Sequence, residues 1–205
     1  MGQLRSFNLL DIIRRYRTST FIESGTGWGD GVRHAATFPF EQIISIDIMP
    51  TAIERLRGRF NHKPHVRLIA GRSVDVFAEL LPQITGNICF WLDAHFPGAD
   101  MQLAPYDAET DTTVRLPLEQ EMRLIKQLRP NNRDVILIDD LRIYERDKFQ
   151  LGNLDEHGQA HLAAYENSGF LDSLFADTHD AHRSLEQTGY LALMPKPAAS
   201  PTMPA

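Results

Sequence analysis

The chain has 205 residues, 42% hydrophobic and 23% charged, which permits one sizeable buried core. A formal charge of −6 at pH 7 argues against a broad nucleic-acid-binding face, so no nucleic-acid partner is expected. The single cysteine, Cys89, excludes an internal disulfide and a cysteine metal cluster, and its apolar setting marks it as a small buried hydrophobe.

At the N-terminus, Met1-Gly2 with Ser6 matches a minimal myristoylation pattern too short to carry weight. There is no secretory h-region there and no apolar stretch of membrane-span length anywhere, so a cytoplasmic protein without a membrane partner is expected. The most informative stretch follows: Phe21-Ile22-Glu23-Ser24-Gly25-Thr26-Gly27-Trp28-Gly29-Asp30-Gly31, an apolar run that stops at an acid and passes into alternating glycines. It reads as a strand turning tightly into a helix and offering bare backbone, the Thr26 hydroxyl and free helical N–H groups to a ligand. A dinucleotide fingerprint would place its third glycine at position 30, where Asp30 stands. An anionic Asp30 repels a pyrophosphate, so an adenosyl group bearing a positive sulfonium fits better than NAD. The plainer reading is a glycine-rich turn that only closes the corner.

Ile43-Ile44-Ser45-Ile46-Asp47-Ile48 is a second buried strand, and Pro50 opens a helix over 50–60. A third strand spans 66–70; after Gly71 comes a helix with an apolar stripe of Val74, Phe77, Ala78 and Leu81. Ile88-Cys89-Phe90-Trp91-Leu92 is a fourth strand, ending at Asp93. Residues 97–117 form a polar insertion beyond it, either an acceptor-binding lid or a disordered loop. A helix over 118–128 leads to the fifth strand, Val135-Ile136-Leu137-Ile138, ending at Asp139-Asp140. Beyond lie a helix over 155–167, a mixed polar stretch, a last strand at 190–194 and a Pro/Ala-rich end. Five such alternating units indicate an α/β, Rossmann-like doubly wound parallel sheet, with residues 1–196 as a single domain and 197–205 as a tail.

Ligands of such sheets collect at the carboxyl ends of the strands, where Glu23, Asp47, Asp93, Asp139 and Asp140 fall. Asp47 is placed to accept hydrogen bonds from a ribose. Any one of these acids also fits a turn or helix cap. The adjacent pair Asp139-Asp140 is tolerated more easily with a cation between the carboxylates, and with Asp93 it makes an oxygen set suited to Mg2+.

These motifs resemble the class I S-adenosylmethionine-dependent methyltransferases over roughly residues 20–196. Glu23-Ser24-Gly25-Thr26-Gly27-Trp28-Gly29 is similar to the family's first motif, Asp47 to its ribose-binding acid, and Gly71-Arg72-Ser73-Val74-Asp75 to the segment beside the adenine. The resemblance implies a seven-stranded sheet of order 3-2-1-4-5-7-6 with the last strand antiparallel. It implies S-adenosylmethionine held by Glu23, Gly25, Thr26, Gly27, Gly29, Asp47, Ser73, Val74 and Asp93. Asp93, Asp139 and Asp140 are similar to the metal triad of the Mg2+-dependent O-methyltransferases, so transfer to a hydroxyl of a small metabolite is expected. Leu92-Asp93-Ala94-His95 and Leu137-Ile138-Asp139-Asp140 are also similar to a glycan- and antibiotic-cluster group of methyltransferases.

The sequence departs from that pattern where catechol-type enzymes carry a lysine, because Phe96 stands there. His95 is the nearest candidate base, catalytic together with Asp93, or else only a partner that orients a ligand of the metal. Arg142 or Tyr144 is placed to line the acceptor side. Only residues 4–16 are available to cover substrate or build the homodimer found in many such enzymes. Two other readings stay open: a non-catalytic adenosyl- or nucleotide-binding protein, and a Mg2+-dependent hydrolase.

Overall fold

The computed structural model describes residues 4–131, 133–153 and 168–197. Seven strands form one sheet: β1 (Thr18–Ser24), β2 (Gln42–Asp47), β3 (Val66–Ala70), β4 (Asn87–Leu92), β5 (Val135–Ile138), β6 (His179–Ser184) and β7 (Tyr190–Pro195). Their order is β3-β2-β1-β4-β5-β7-β6, the order that the resemblance implies. β1 to β5 are parallel, while β7 runs antiparallel to both β5 and β6.

The central strands are apolar on both faces because both faces are covered. Ile22, Ile46, Phe90, Leu92, Ile136 and Ile138 point to one side, against Phe77 of α4 (Ser73–Leu80) and Met122 and Ile125 of α6 (Leu118–Leu128). The alternate residues Phe21, Ile43, Cys89, Trp91, Val135 and Leu137 face α1 (Leu9–Tyr16), α2 (Asp30–Ala35) and α3 (Pro50–Phe60). Pro50 occupies the first turn of α3, where its missing N–H is not needed.

One polar knot sets the pairing of β4 with β5. Arg129, buried just after α6, donates from Nε to Asp134 Oδ2 at 2.6 Å and from its Nη atoms to the carbonyls of Ile84 and Gly86. Asp134 Oδ1 accepts from the Ile88 N–H at 2.7 Å. The starts of both strands are thereby fixed, and with them the level at which Asp93 and Asp139 emerge at the far ends.

Several expectations are corrected. β6 falls in the stretch read as mixed polar; only His179 of it is buried, as suits an edge strand. The last strand runs one residue past the expected 190–194, because Pro195 belongs to β7, opposite His179. Ala78 faces solvent, off the stripe of α4. Residues 4–16 cover no ligand site: Leu4, Leu9 and Ile12 are buried in the core, and Phe7 packs edge-on against Trp91 and Tyr190. Residues 97–117 are a structured insertion carrying a short helix, α5 (Thr112–Arg115), with Ala99 and Met101 buried. The helix expected at 155–167 lies outside the described residues, as do 198–205. Among the described residues no helix is long and apolar enough to cross a membrane.

Candidate functional site

A cleft of about 990 Å3, including its open mouth, lies over the carboxyl ends of β1, β2 and β4. Glu23, Gly25, Thr26, Gly27, Asp47, Ser73, Val74, Asp93 and His95 all line it, so nine residues singled out from the sequence meet in one place. Gly25, at φ +83°, has no room for a side chain because a Cβ would overlap the carbonyl of Asp93. Gly27, at φ +49°, meets nothing within 4 Å, so its bare face is open to a ligand. Gly29 does not line the cleft: it is the left-handed N-cap of α2 and is pressed against Leu56. This combination of a tight corner and an open glycine face leaves room for a ligand to approach the backbone closely.

The acids beneath the glycines are organised. Asp47 Oδ2 accepts from the Gly27 N–H and Oδ1 from the Met49 N–H, each at 2.8 Å, which fixes the turn. An ionised carboxylate has about four acceptor positions, so capacity for further donors is left. Burial raises its pKa, and the two N–H groups oppose the rise. Glu23 is buried and accepts from the Ser45 hydroxyl, which shares a 2.6 Å hydrogen bond with Thr26. Burial pushes Glu23 up to about 8, against the pull of Ser45, and so favours its neutral form.

On the opposite wall His95 stands among carboxylates. Its Nε2 is 3.2 Å from Asp140 Oδ2 and 3.7 Å from Asp100 Oδ2, and its Nδ1 is 3.7 Å from Asp93 Oδ1. Burial alone lowers the imidazole pKa, but the hydrogen bond and charge of Asp140, with Asp100 and Asp139, hold it above the ordinary value. Asp140 shows the reciprocal effect, since His95 overrides burial and brings it to about 2. Burial and the neighbouring Asp139 and Asp140 raise Asp93 well above the carboxylate range, and its Oδ2 accepts from Trp91 Nε1 at 3.3 Å. Phe96 and Asp140 hold φ values of +43° and +48°, unusual for non-glycine residues and common where function dictates the backbone.

Adjacent strands do bring Asp93, Asp139 and Asp140 to one end of the sheet, but not as a cation cage. Asp140 is turned to His95, and Asp139 faces away from the cleft into a narrow inner space that has no room for a water molecule. Among the described residues no three His, Cys, Asp or Glu side chains are arranged to hold a metal ion. The triad is thus not arranged as a Mg2+ cage, although both oxygens of Asp139 and Oδ1 of Asp140 are buried without a well-formed hydrogen bond and are of the donor type that such a cation takes. Tyr144 also lines the inner space and not the cleft, and Arg142 lies 3.8 Å from Asp140.

Three participants were not read from the sequence. Glu121 of α6 is wholly buried on the inner space; it faces Ser24 and Ser73 without a well-formed hydrogen bond, and burial lifts it to about 7. Its signal was its position, three residues after Leu118 and four before Ile125 on the buried stripe. Asp100 and Trp28 line the mouth, and nothing in their sequence context distinguishes them from surface residues.

No family model matches the chain, and no curated protein does. Solved structures match along most of its length. One is a proposed caffeoyl-CoA O-methyltransferase from Staphylococcus aureus, with a TM-score of 0.59 and 12% identity over 92% of this chain and 81% of that one. A second is a proposed methyltransferase from Streptococcus mutans in complex with SAH, at 0.54 and 13% over 87% and 89%. A third is a proposed O-methyltransferase from Klebsiella pneumoniae, at 0.52 and 14% over 94% and 80%. The chain has the class I methyltransferase fold. In that fold the cleft sits at the reversal of strand order between β1 and β4, the usual ligand position of doubly wound sheets.

Proposed function

We propose that the chain transfers a methyl group to a hydroxyl oxygen of a small metabolite. The carrying observation is His95, held between Asp93 and Asp140 on the wall of a glycine-lined cleft. S-adenosylmethionine supplies the electrophilic methyl when bound. Asp47 takes the ribose, Ser73 and Val74 the adenine side, and Glu23, Gly25 and Gly27 the methionine end. A neutral Glu23 adds no charge there and offers its carboxyl as a hydrogen-bonding group.

Asp140 accepts a hydrogen bond from His95 Nε2–H and so fixes the tautomer whose Nδ1 lone pair is directed toward Asp93 and the cleft. The neutral imidazole accepts the hydroxyl proton, so turnover rises with pH through a value above 6.5, the ordinary histidine value. Mg2+ assistance, which the resemblance implies, requires Asp140 to leave His95 and Asp139 to turn toward the cleft.

Calorimetry with S-adenosylhomocysteine tests the cofactor: wild type binds and Gly27→Leu does not, because the side chain fills the open face. With an acceptor in hand, His95→Gln lowers kcat by about 10²–10⁴-fold, the usual weight of a general base. Turnover insensitive to EDTA agrees with this reading, whereas loss restored by Mg2+ reinstates the metal triad. Tight cofactor binding without any transfer favours the non-catalytic binding protein, and turnover without S-adenosylmethionine favours the hydrolase.

A further inference from the structure

Trp28 is 44% exposed, an unfavourable placement for an indole with no other role. Its Nε1 donates to the Asp100 carbonyl at 3.2 Å, reaching from the glycine turn across the cleft to the 97–117 insertion. The Arg55 guanidinium, from α3, lies 4.1 Å from the centroid of the Trp28 ring and sends Nη2 to Met101 Sδ at 3.6 Å. Trp28, Asp100 and Met101 all line the cleft, so these contacts fasten its mouth. Asp100 carries the link further. Its Oδ1 accepts from the Tyr106 hydroxyl at 3.4 Å, and its Oδ2 lies 3.7 Å from His95 Nε2. Tyr106 in turn stands edge-on to Phe96, 5.4 Å between centroids.

We propose that Trp28 is a clasp: by holding the Asp100 carbonyl it fastens residues 98–104 over the bound cofactor, sets how long the cofactor stays, and positions the Asp100 carboxylate beside His95. The occupant rests on the S-adenosylmethionine reading; the clasp itself rests on side-chain geometry. Because the acceptor of the bond is a backbone carbonyl, the clasp survives any change of the Asp100 side chain. Asp100 is then a positioning residue whose loss acts on turnover and not on cofactor release.

The test combines amide hydrogen exchange of the full chain with stopped-flow release of S-adenosylhomocysteine. Trp28→Phe keeps a ring for Arg55 and removes the N–H; release quickens by about three- to tenfold, the weight of one neutral hydrogen bond. Trp28→Ala also removes the seat of Arg55 and quickens release by about 10–30-fold. In both variants amides 98–104 exchange faster without ligand, while the β1 and β4 amides keep their protection and show that the fold is intact. Asp100→Asn leaves release at the wild-type rate and lowers kcat. Unchanged exchange at 98–104 in Trp28→Ala overturns the proposal, as does release from Asp100→Asn as fast as from Trp28→Ala. If wild type takes up no S-adenosylhomocysteine, the methyltransferase reading falls, and exchange at 98–104 alone decides for or against the clasp.

Discussion

Glu121 lies wholly inside the molecule with no well-formed hydrogen bond, so its ionised form is costly there. Its pKa moves from 4.5 to about 7, through burial opposed by Ser73 and Ser24. Below pH 4.5 folded and unfolded chains both hold this proton. Between 4.5 and 7 the unfolded chain releases it first, so stability falls as pH rises. Glu23 continues the same decline to about 8. His95 acts in the same sense: its contribution is full below 6.5 and is lost as pH passes its raised folded value. Asp140 acts in the opposite sense, contributing above 3.8 and losing that only as pH falls toward 2. Glu121→Gln removes one component of the decline, so its melting temperature converges with wild type near pH 4 and exceeds it at pH 8. Thermal unfolding across that range checks this, and parallel curves for the two proteins would exclude it.

Among the elements, the junction of α6 with β4 and β5 depends on Arg129. Arg129→Met leaves the buried Asp134 without a counter-charge, holding only the Ile88 N–H, and deprives the carbonyls of Ile84 and Gly86 of their donor. The cost is about 3–5 kcal/mol, which lowers the melting temperature by roughly 6–20 °C in a domain of this size. Arg129→Lys does not restore it, because one ammonium cannot reproduce the forked contacts; calorimetric unfolding of both variants decides. Six strands, β1 to β5 and β7, and the helices α3, α4 and α6 were legible from sequence because the strands are apolar on both faces and the helices carry clear stripes or a Pro start. β6 was not, since His179-Asp180-Ala181-His182-Arg183-Ser184 is an edge with little to bury. The cleft residues were legible because they sit where strands end. What was not legible was direction: sequence places Asp139 and Asp140 side by side, but only the left-handed backbone at Asp140 sends one to His95 and the other inward. Arg129, Asp134 and Trp28 were missed because most of their partners are backbone groups of distant segments, the carbonyls of Ile84, Gly86 and Asp100 and the N–H of Ile88, which leave no local pattern.

For the whole molecule, the decisive feature is that β2 and β3 build out from one side of β1, and β4, β5, β7 and β6 from the other. The cleft sits on that seam, with Gly25 against the backbone of Asp93. The β1–β2 and β2–β3 pairings join consecutive strands, whereas β1–β4 must close over everything between. Loop closure of that kind is slow, so helices and the early strands form before the seam does. The expected order is therefore secondary structure first and recognition of a ligand afterwards. In refolding experiments, recovery of S-adenosylhomocysteine binding should lag behind recovery of the far-ultraviolet dichroism, and simultaneous recovery would show that the two halves of the sheet join in the first event. A nascent chain emerging N-terminus first carries its glycine turn early, and that turn stays without a binding surface until β4 arrives to stand beside it.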